Sequence, residues 1–252
     1  MKPGASKLGE GRFVAERRQT IAQQAYQFLR REIIDGRLPP RSPLSEQDVS
    51  QQLGVSRTPV REALIKLGEE GLIDIYPQFG TFVAPIKLAE VFNSQFVREA
   101  LECAALERAV ERISDAQATS LKLILDAQRR HQRAGERDAF FAADERMHQY
   151  LMEVAGHTAV WSLVENAKAQ MDRVRHLSMR NELKLSSVIQ EHGAIIDGVV
   201  RRDRDGALAA LRSHLRGLFR SVEILQAENR QYFAEEGEGA PRRAARAKKQ
   251  AV

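Results

Sequence analysis

The stretch 45–67, SEQDVSQQLGVSRTPVREALIKL, constrains this chain more than any other. Ser45 followed by Glu46 is typical of a helix start, and Gly54 ends that helix after two turns. Ser56 is placed to cap a second helix, in which apolar side chains recur at i, i+3, i+4 and i+7. The pattern predicts a helix–turn–helix whose second helix buries one face, made of Val60, Ala63, Leu64 and Leu67.

The other face of that second helix carries candidate DNA contacts. Arg57 and Arg61 are four residues apart, and Thr58 stands beside Arg57 in the first turn. Guanidinium groups at the N-terminal end of a helix suit insertion into a major groove, where arginine contacts guanine O6 and N7 bidentately. An ordinary helical hairpin with solvated arginines is the alternative reading of these residues alone.

A hairpin is predicted directly after the two helices. Leu72–Ile75 and Thr81–Val83 are expected to be strands, and Pro77–Gly80 the turn between them. A helix from about 19 to 35 precedes the motif. Helix–turn–helix followed by a hairpin is a winged helix, so we assign residues 17–85 to a winged-helix DNA-binding domain.

This block resembles the DNA-binding domain of GntR-family bacterial transcription regulators. The residues that carry the resemblance are Gly36, Leu44, Ser45, Glu46, Leu53, Gly54, Val55, Ser56, Arg57, Pro59, Val60, Arg61, Glu62, Ala63, Leu64, Leu67 and Gly71. It implies double-stranded DNA as the partner, and the expected contacts are Arg31, Ser45, Ser56, Arg57, Thr58, Arg61 and Gly80. One winged helix covers few base pairs, so we expect a homodimer on a palindromic operator. Phe79 precedes Gly80 where the family often has arginine, so only backbone contact is expected at the wing tip.

Composition excludes several other classes of protein. Cys103 is the only cysteine, which excludes an intrachain disulfide and a thiolate-cluster zinc site. No run of 18 apolar residues and no N-terminal signal core are present, so we expect no membrane association and a cytoplasmic, nucleoid-associated protein. The tail from Pro241 on holds five of the 39 Lys and Arg, and the other 34 balance the 34 Asp and Glu. The DNA-binding prediction therefore rests on motif geometry rather than bulk charge.

Residues 86–232 show helical periodicity and no strand pattern. The fold class is therefore mainly α: a winged helix followed by an all-α antiparallel bundle of about six helices. Residues 1–16 are predicted to be a disordered arm, and residues 233–252 a disordered basic tail. The predicted bundle helices are 88–112, 115–134, 137–155, 158–181, 185–203 and 205–231.

Polar side chains interrupt three apolar stripes of that bundle. Asp144 and His148 lie four residues apart on one stripe, His192 lies in the middle of a second, and His214 lies at the edge of a third. An inward histidine is more often a hydrogen-bonded core residue than a ligand, but a buried carboxylate is costly unless it is paired or coordinated. Three imidazoles and a carboxylate suit a divalent transition metal, with zinc favoured and nickel or manganese as alternatives.

Residues 88–225 also resemble the FCD effector domain of the FadR subgroup, with a shorter, VanR-like branch as one option. The signature comprises Arg98, Leu101, Glu102, Ala104, Ala105, Asp144, His148, His192 and His214. The resemblance implies that the aspartate and histidines bind a divalent metal and that Arg98 binds a small organic acid beside it. From the helical wheel alone, Arg98 is equally well a surface residue paired with Glu102.

A helical metal-dependent enzyme acting on a small organic acid is the competing function. Glu145-x-x-His148 is similar to half of a di-iron site, but no second Glu-x-x-His occurs, and HExxH is absent. We therefore expect no enzyme but a DNA-binding regulator, with repression favoured, whose operator affinity a carboxylate controls. The identity of the acid and the direction of its effect stay open.

Overall fold

The computed structural model describes residues 19–179 and 182–235, without the side chains of Arg220 and Ser221. The chain divides into two compact units. The winged-helix unit is Arg37–Pro85 with the described residues up to Ile33 and from Gln231 on, and the helical unit is Ile34–Gly36 with Ile86–Arg230. The predicted fold class is confirmed. The predicted arm, 1–16, and residues 236–252 of the predicted tail lie outside the described residues.

The winged-helix unit holds α1 (Ile21–Ile34), α2 (Glu46–Leu53) and α3 (Arg57–Glu69). The Ser45 hydroxyl caps α2 by accepting from the Asp48 N–H at 3.3 Å, and Gly54 ends α2 at φ 68°. Ser56 stands at the cap position of α3, but its side chain makes no capping hydrogen bond, unlike the prediction. Pro59 removes one of the two N–H groups that such a cap can use, because it occupies the third helical position and has no N–H to donate.

The wing is an antiparallel pair, β1 (Ile73–Tyr76) and β2 (Gly80–Val83). A segment before α2 lies along the free edge of β2. The Val83 N–H donates to the Ser42 carbonyl at 2.9 Å, and the Arg41 N–H donates to the Val83 carbonyl at 2.7 Å. The sequence did not predict this third segment, because its prolines mask any strand pattern.

The chain after the helical unit returns to the winged-helix unit. The Arg41 guanidinium donates to the carbonyls of Gln231 and Phe233, at 2.7 and 3.3 Å. Phe233 is only 2% exposed, whereas the sequence placed it in the disordered tail. A single aromatic in a polar segment shows no periodicity, yet it buries a large apolar area.

The helical unit has eight α-helices among its described residues. They are α4 (Leu88–Arg112), α5 (Asp115–Ala134), α6 (Arg137–Val154), α7 (Trp161–Ala167), α8 (Ala169–Ser178), α9 (Glu182–Val200), α10 (Arg204–Arg216) and α11 (Phe219–Glu228). The first three match the predicted helices within one residue. The predicted helix 158–181 is instead a 3-10 turn followed by α7 and α8, and 205–231 is α10 and α11 with a further 3-10 turn. Apolar spacing continues through such short breaks and does not reveal them.

The core of the helical unit lies between α4, α5, α6, α9 and α10. Gly198 permits the close approach of α9 and α10, because a Cβ at this position would lie 2.9 Å from the Ala207 Cα. This approach brings the two helices that carry His192 and His214 together. Within the described ranges, no helix has both the length and the apolar character needed to cross a bilayer.

Candidate functional site

The three predicted histidine ligands meet in the core of the helical unit. His148 on α6, His192 on α9 and His214 on α10 each offer a ring nitrogen, and these nitrogens lie within 4.8 Å of one another. Asp144 joins them, since its Oδ1 lies 3.5 Å from the His192 Nε2. Asp144 and His192 are 0% exposed. Side chains 70 residues apart in sequence thus converge on one buried point.

Hydrogen bonding fixes the proton position on His192. The Gln128 Nε2 donates to the Ala143 carbonyl at 3.1 Å, so the Gln128 Oε1 is turned the other way as an acceptor. The His192 Nδ1 lies 2.8 Å from that oxygen and must carry the proton. The His192 Nε2 therefore keeps its lone pair and faces the other imidazoles.

In the other two histidines the Nδ1 also faces a hydrogen-bond acceptor, which here is a carboxylate. The His148 Nδ1 lies 2.7 Å from the Glu102 Oε2, and the His214 Nδ1 lies 2.8 Å from the Glu191 Oε2. Burial alone would raise the pKa of Glu102, but Arg98 and His148 outweigh it and lower that pKa below its usual range. An ionised carboxylate only accepts hydrogen bonds. A ligating histidine typically donates its second N–H in this way.

The resulting arrangement fits a divalent metal. The Nε2 atoms of His192 and His214 are 3.3 Å apart, and two nitrogen lone pairs at this distance repel unless a cation lies between them. Two imidazole nitrogens bound tetrahedrally to zinc at ~2.0–2.1 Å are about 3.3–3.4 Å apart. The His148 Nε2 and the Asp144 Oδ1 are buried and have no hydrogen-bond partner in the described part of the chain. The four side chains therefore offer enough ligand atoms for a tetrahedral metal ion, and two of these atoms have no partner among the described residues.

The protonation states at the site also suit a metal. Burial, then the charge of the neighbouring imidazole, lowers the pKa of His192 and of His214 well below its usual value, so both rings stay neutral, as coordination requires. Burial would raise the pKa of Asp144, but the Arg175 guanidinium outweighs it and keeps the carboxyl ionised.

A buried ion-pair network behind Asp144 was missed at the sequence level. Arg175 on α8 pairs with the Asp144 Oδ2, with Glu145 at 2.5 Å and with Asp172 at 3.1 Å. Lys168 pairs with the same Glu145 and Asp172, at 2.5 and 2.6 Å. Burial would raise the pKa of Glu145, but Lys168 and Arg175 lower it to about 2. Charged residues are usually exposed, so the sequence held no signal for their burial.

Arg98 is both buried and paired. It is 3% exposed, and its Nε donates to the Glu102 Oε1 at 2.5 Å. Its Nη2 is buried and has no hydrogen-bond partner within the described ranges. Arg98 lines a cavity of about 40 Å³ beside the histidines, together with Gln95, Met171, Arg175, Ser178, Met179, Lys184, Val188, Glu191, His214, Leu215, Gly217 and Leu218. Arg98 faces inward and pairs with Glu102, but it is not a surface residue, and its role in effector binding stays a prediction.

The remaining histidines lie apart from this cluster. His131 pairs with Glu136 at 2.7 Å near the end of α5. His176 packs its ring on Phe141, with 3.9 Å between ring centroids. His157 precedes the 3-10 turn that follows α6.

The predicted DNA contacts lie on exposed positions of the winged-helix unit. Arg57, Thr58 and Arg61 share α3, Arg31 lies on α1, and Gly80 opens β2 at φ 128°. The Arg61 side chain is 67% exposed and pairs with Glu46, Nε to Oε1 at 2.9 Å and Nη2 to Oε2 at 3.0 Å. This two-point ion pair uses the Nε and Nη2 of Arg61 and leaves its Nη1 available to a base. DNA contact by these residues stays a prediction.

Comparison with known families and proteins places both units. Residues 21–83 match the family described as bacterial regulatory proteins, gntR family, and residues 95–217 match the FCD domain. The HTH-type transcriptional repressor RspR of Escherichia coli is 39% identical over 218 residues, which cover 86% of this chain and 96% of RspR. An HTH-type regulator from an unstable DNA locus of Streptomyces ambofaciens is 35% identical, over 88% of this chain and 94% of that protein.

Solved structures show the same fold at lower identity. Escherichia coli McbR/YncC superimposes with a TM-score of 0.70 at 20% identity, over 83% of this chain and 99% of that chain. A GntR-type protein of Rhodococcus sp. RHA1 superimposes with a TM-score of 0.67 at 23% identity, over 82% of this chain and 98% of that chain.

Proposed function

Because the chain belongs to the GntR family of bacterial regulatory proteins, we propose that this DNA-binding transcriptional regulator is a repressor whose operator affinity is set by a small carboxylate bound beside a divalent metal. Its family and relatives are transcriptional regulators rather than enzymes. The name of RspR as a repressor supports the direction of regulation. The proposed FadR subgroup follows the resemblance of the FCD domain, and the proposed cytoplasmic location follows from a role in binding DNA.

The metal is held by His148, His192, His214 and Asp144 in this proposal. The observation that carries it is the convergence of three imidazoles, each with its Nδ1 on a hydrogen-bond acceptor, on a carboxylate oxygen that lacks a hydrogen-bond partner within the described residues. Zinc is favoured because nitrogen ligands with one carboxylate suit its tetrahedral shell, and nickel and manganese are alternatives. The ion supplies positive charge to the pocket and cross-links three helices.

Charge explains why the effector is an acid. Within the described ranges, the charged side chains that line the cavity, taken together with the ion-pair network joined to that lining, are four cations and five carboxylates: Arg98, Lys168, Arg175 and Lys184 against Glu102, Asp144, Glu145, Asp172 and Glu191. The pocket therefore carries one excess negative charge without metal and one excess positive charge with a divalent ion. A carboxylate held by the free Nη2 of Arg98 neutralises the metal-loaded pocket.

The DNA side of the proposal uses a homodimer on a palindromic operator. One α3 helix reads too few base pairs for useful specificity, and two symmetric copies match two half-sites. The acid acts on DNA only if it binds one arrangement of the dimer better than the other. Such coupling is typically about 1–3 kcal/mol, or roughly 5- to 150-fold in operator affinity.

A gel-shift titration tests this function. The purified full chain is mixed with DNA taken from beside its own coding region, after zinc loading or after chelation, with and without a panel of monocarboxylates. We expect specific binding by the dimer and a change of at least fivefold with one acid in the zinc-loaded protein only. Absence of bound metal by elemental analysis, with no thermal shift on adding zinc, nickel or manganese, would contradict the metal site.

A further inference from the structure

Gln95 is a buried polar side chain whose role the metal site and the acid pocket leave unexplained. It lies on α4 one turn before Arg98, is 2% exposed and lines the same cavity. Neither its Oε1 nor its Nε2 makes a hydrogen bond to the described residues. Buried amides are normally hydrogen-bonded, so this amide lacks a partner that the cavity can hold.

The neighbourhood of Gln95 decides which amide atom is left for a ligand. The Glu99 carboxylate faces the Gln95 amide without forming a hydrogen bond of normal geometry. The pKa of Glu99 is lowered, mainly by its hydrogen bonds with Arg216 and to a smaller extent by Gln95. A carboxylate attracts the NH₂ end of the amide. We therefore assign the NH₂ end of the amide to the Glu99 side, which leaves the Gln95 Oε1, a group that can only accept a hydrogen bond, for a ligand.

We propose that Gln95 makes this pocket selective for a 2-hydroxy monocarboxylic acid, an inference that rests on the effector site proposed above. Residues three apart on a helix are neighbours on one face, so the Gln95 Oε1 and the Arg98 Nη2 both serve a ligand in one small cavity. The carboxylate accepts from the Arg98 Nη2, and the hydroxyl on the adjacent carbon donates to the Gln95 Oε1. A 2-oxo acid has no hydroxyl proton to donate and makes only the first contact.

The net charge and the volume of the cavity restrict the class of acid further. The metal-loaded pocket has one excess positive charge, which one carboxylate neutralises and two would reverse. The cavity beside Arg98 is small, about 40 Å³. Both observations favour a short acid with a single carboxylate.

The test compares lactate with propionate, which differ by one hydroxyl, in calorimetric titrations of the zinc-loaded full chain. One hydrogen bond to a neutral group predicts that the better lactate enantiomer binds about tenfold more tightly than propionate. The Gln95→Met variant should bind both acids with the affinity of propionate. Gln132→Met on α5 removes a half-buried amide contact elsewhere in the helical unit, to Ser186, and should keep the preference. An apolar side chain of similar size is tolerated where an amide is unpaired, and the melting temperature of each variant checks its folding.

The outcomes separate this inference from the proposed function. Equal affinity of the parent chain for lactate and propionate, or a preference that survives in Gln95→Met, overturns the selectivity of Gln95 and leaves the acid pocket standing. If the parent binds pyruvate as tightly as lactate, the hydroxyl is not the recognised group and the inference is equally wrong. If the zinc-loaded parent binds none of these acids, the acid pocket beside Arg98 is itself overturned.

Discussion

The His192 Nδ1 and the Gln128 Oε1 are joined by a hydrogen bond of 2.8 Å between two fully buried side chains. Because the Gln128 Nε2 is held by the Ala143 carbonyl, Gln128 permits only one tautomer of His192. The tautomer it permits is the one that directs a lone pair at the His214 Nε2.

This relationship predicts that Gln128→Met weakens metal binding without removing a ligand. Loss of a partner that orients a ligating histidine typically lowers metal affinity by about 10- to 100-fold. We expect zinc affinity, measured by competition with a chromophoric chelator, to fall within that range. Gln132→Met, on the same helix and one turn later, is the matched control and should bind zinc as the parent does. Parental zinc affinity in Gln128→Met would show that Gln128 does not position the site.

Removal of a metal-ligating side chain should make the melting temperature of the protein independent of added metal. A ligand that binds only the folded state raises its apparent stability, so chelation should lower the melting temperature of the parent chain. His192→Ala should melt at one temperature with or without zinc. His131→Ala changes a histidine near the end of α5 that pairs with Glu136, and it should keep the response to zinc. A zinc-dependent melting temperature in His192→Ala would contradict the ligand set.

Arg98→Lys should weaken acid binding and leave the metal in place. Lysine keeps a cation beside Glu102, which in turn holds the His148 Nδ1, but it lacks the guanidinium fork that matches a carboxylate. We expect at least a tenfold loss in acid affinity by calorimetry, with unchanged zinc content. Arg98→Ala is a poorer variant, because it also exposes Glu102 and His148 to the loss of a buried charge partner. Unchanged acid affinity in Arg98→Lys would mean that the acid binds elsewhere.

Arg57→Ala and Arg61→Ala should each cost roughly 1–3 kcal/mol of operator affinity, if each arginine contacts a base. Fluorescence anisotropy with labelled operator at fixed salt measures the loss. Arg133→Ala removes an exposed arginine at the end of α5 and controls for net charge. If the double variant keeps full operator affinity, α3 is not the reading helix.

The metal-free protein should lose stability as the pH falls below about 6.5, the usual histidine value. Burial, followed by the neighbouring imidazole, lowers the pKa of His192 and His214 in the folded state. Between the lowered folded pKa values and about 6.5, the unfolded chain therefore binds more protons, so the free energy of unfolding rises with pH. The slope is up to about 1.4 kcal/mol per pH unit for each histidine. Urea unfolding in chelator at pH 7.0 and 5.5 measures it, and His192→Asn should reduce the slope while His131→Asn should not. A flat profile in the parent would show that the folded state does not lower the pKa values of these rings.

The sequence by itself determined the local parts of this protein. Ser45, Gly54 and the apolar spacing of α3 define the helix–turn–helix, because caps and helical periodicity act over a few residues. The inward orientation of Asp144, His148 and His192 follows from the same periodicity, since a polar side chain on an apolar stripe must face the core. The resemblance to the GntR and FCD families then grouped residues that periodicity alone could not bring together.

Only the tertiary structure decided what completes the site. The three imidazoles are held by Gln128, Glu102 and Glu191. Each of these residues lies on a different helix from the histidine that it holds, so local sequence patterns do not connect the two. The burial of Arg175 depends on carboxylates from both α6 and α8. The sequence of either helix alone therefore does not predict that this arginine is buried. The close approach at Gly198 sets the separation of α9 and α10. These features depend on long-range packing, where the cost of burying a charge or an amide is offset by partners that are distant in sequence.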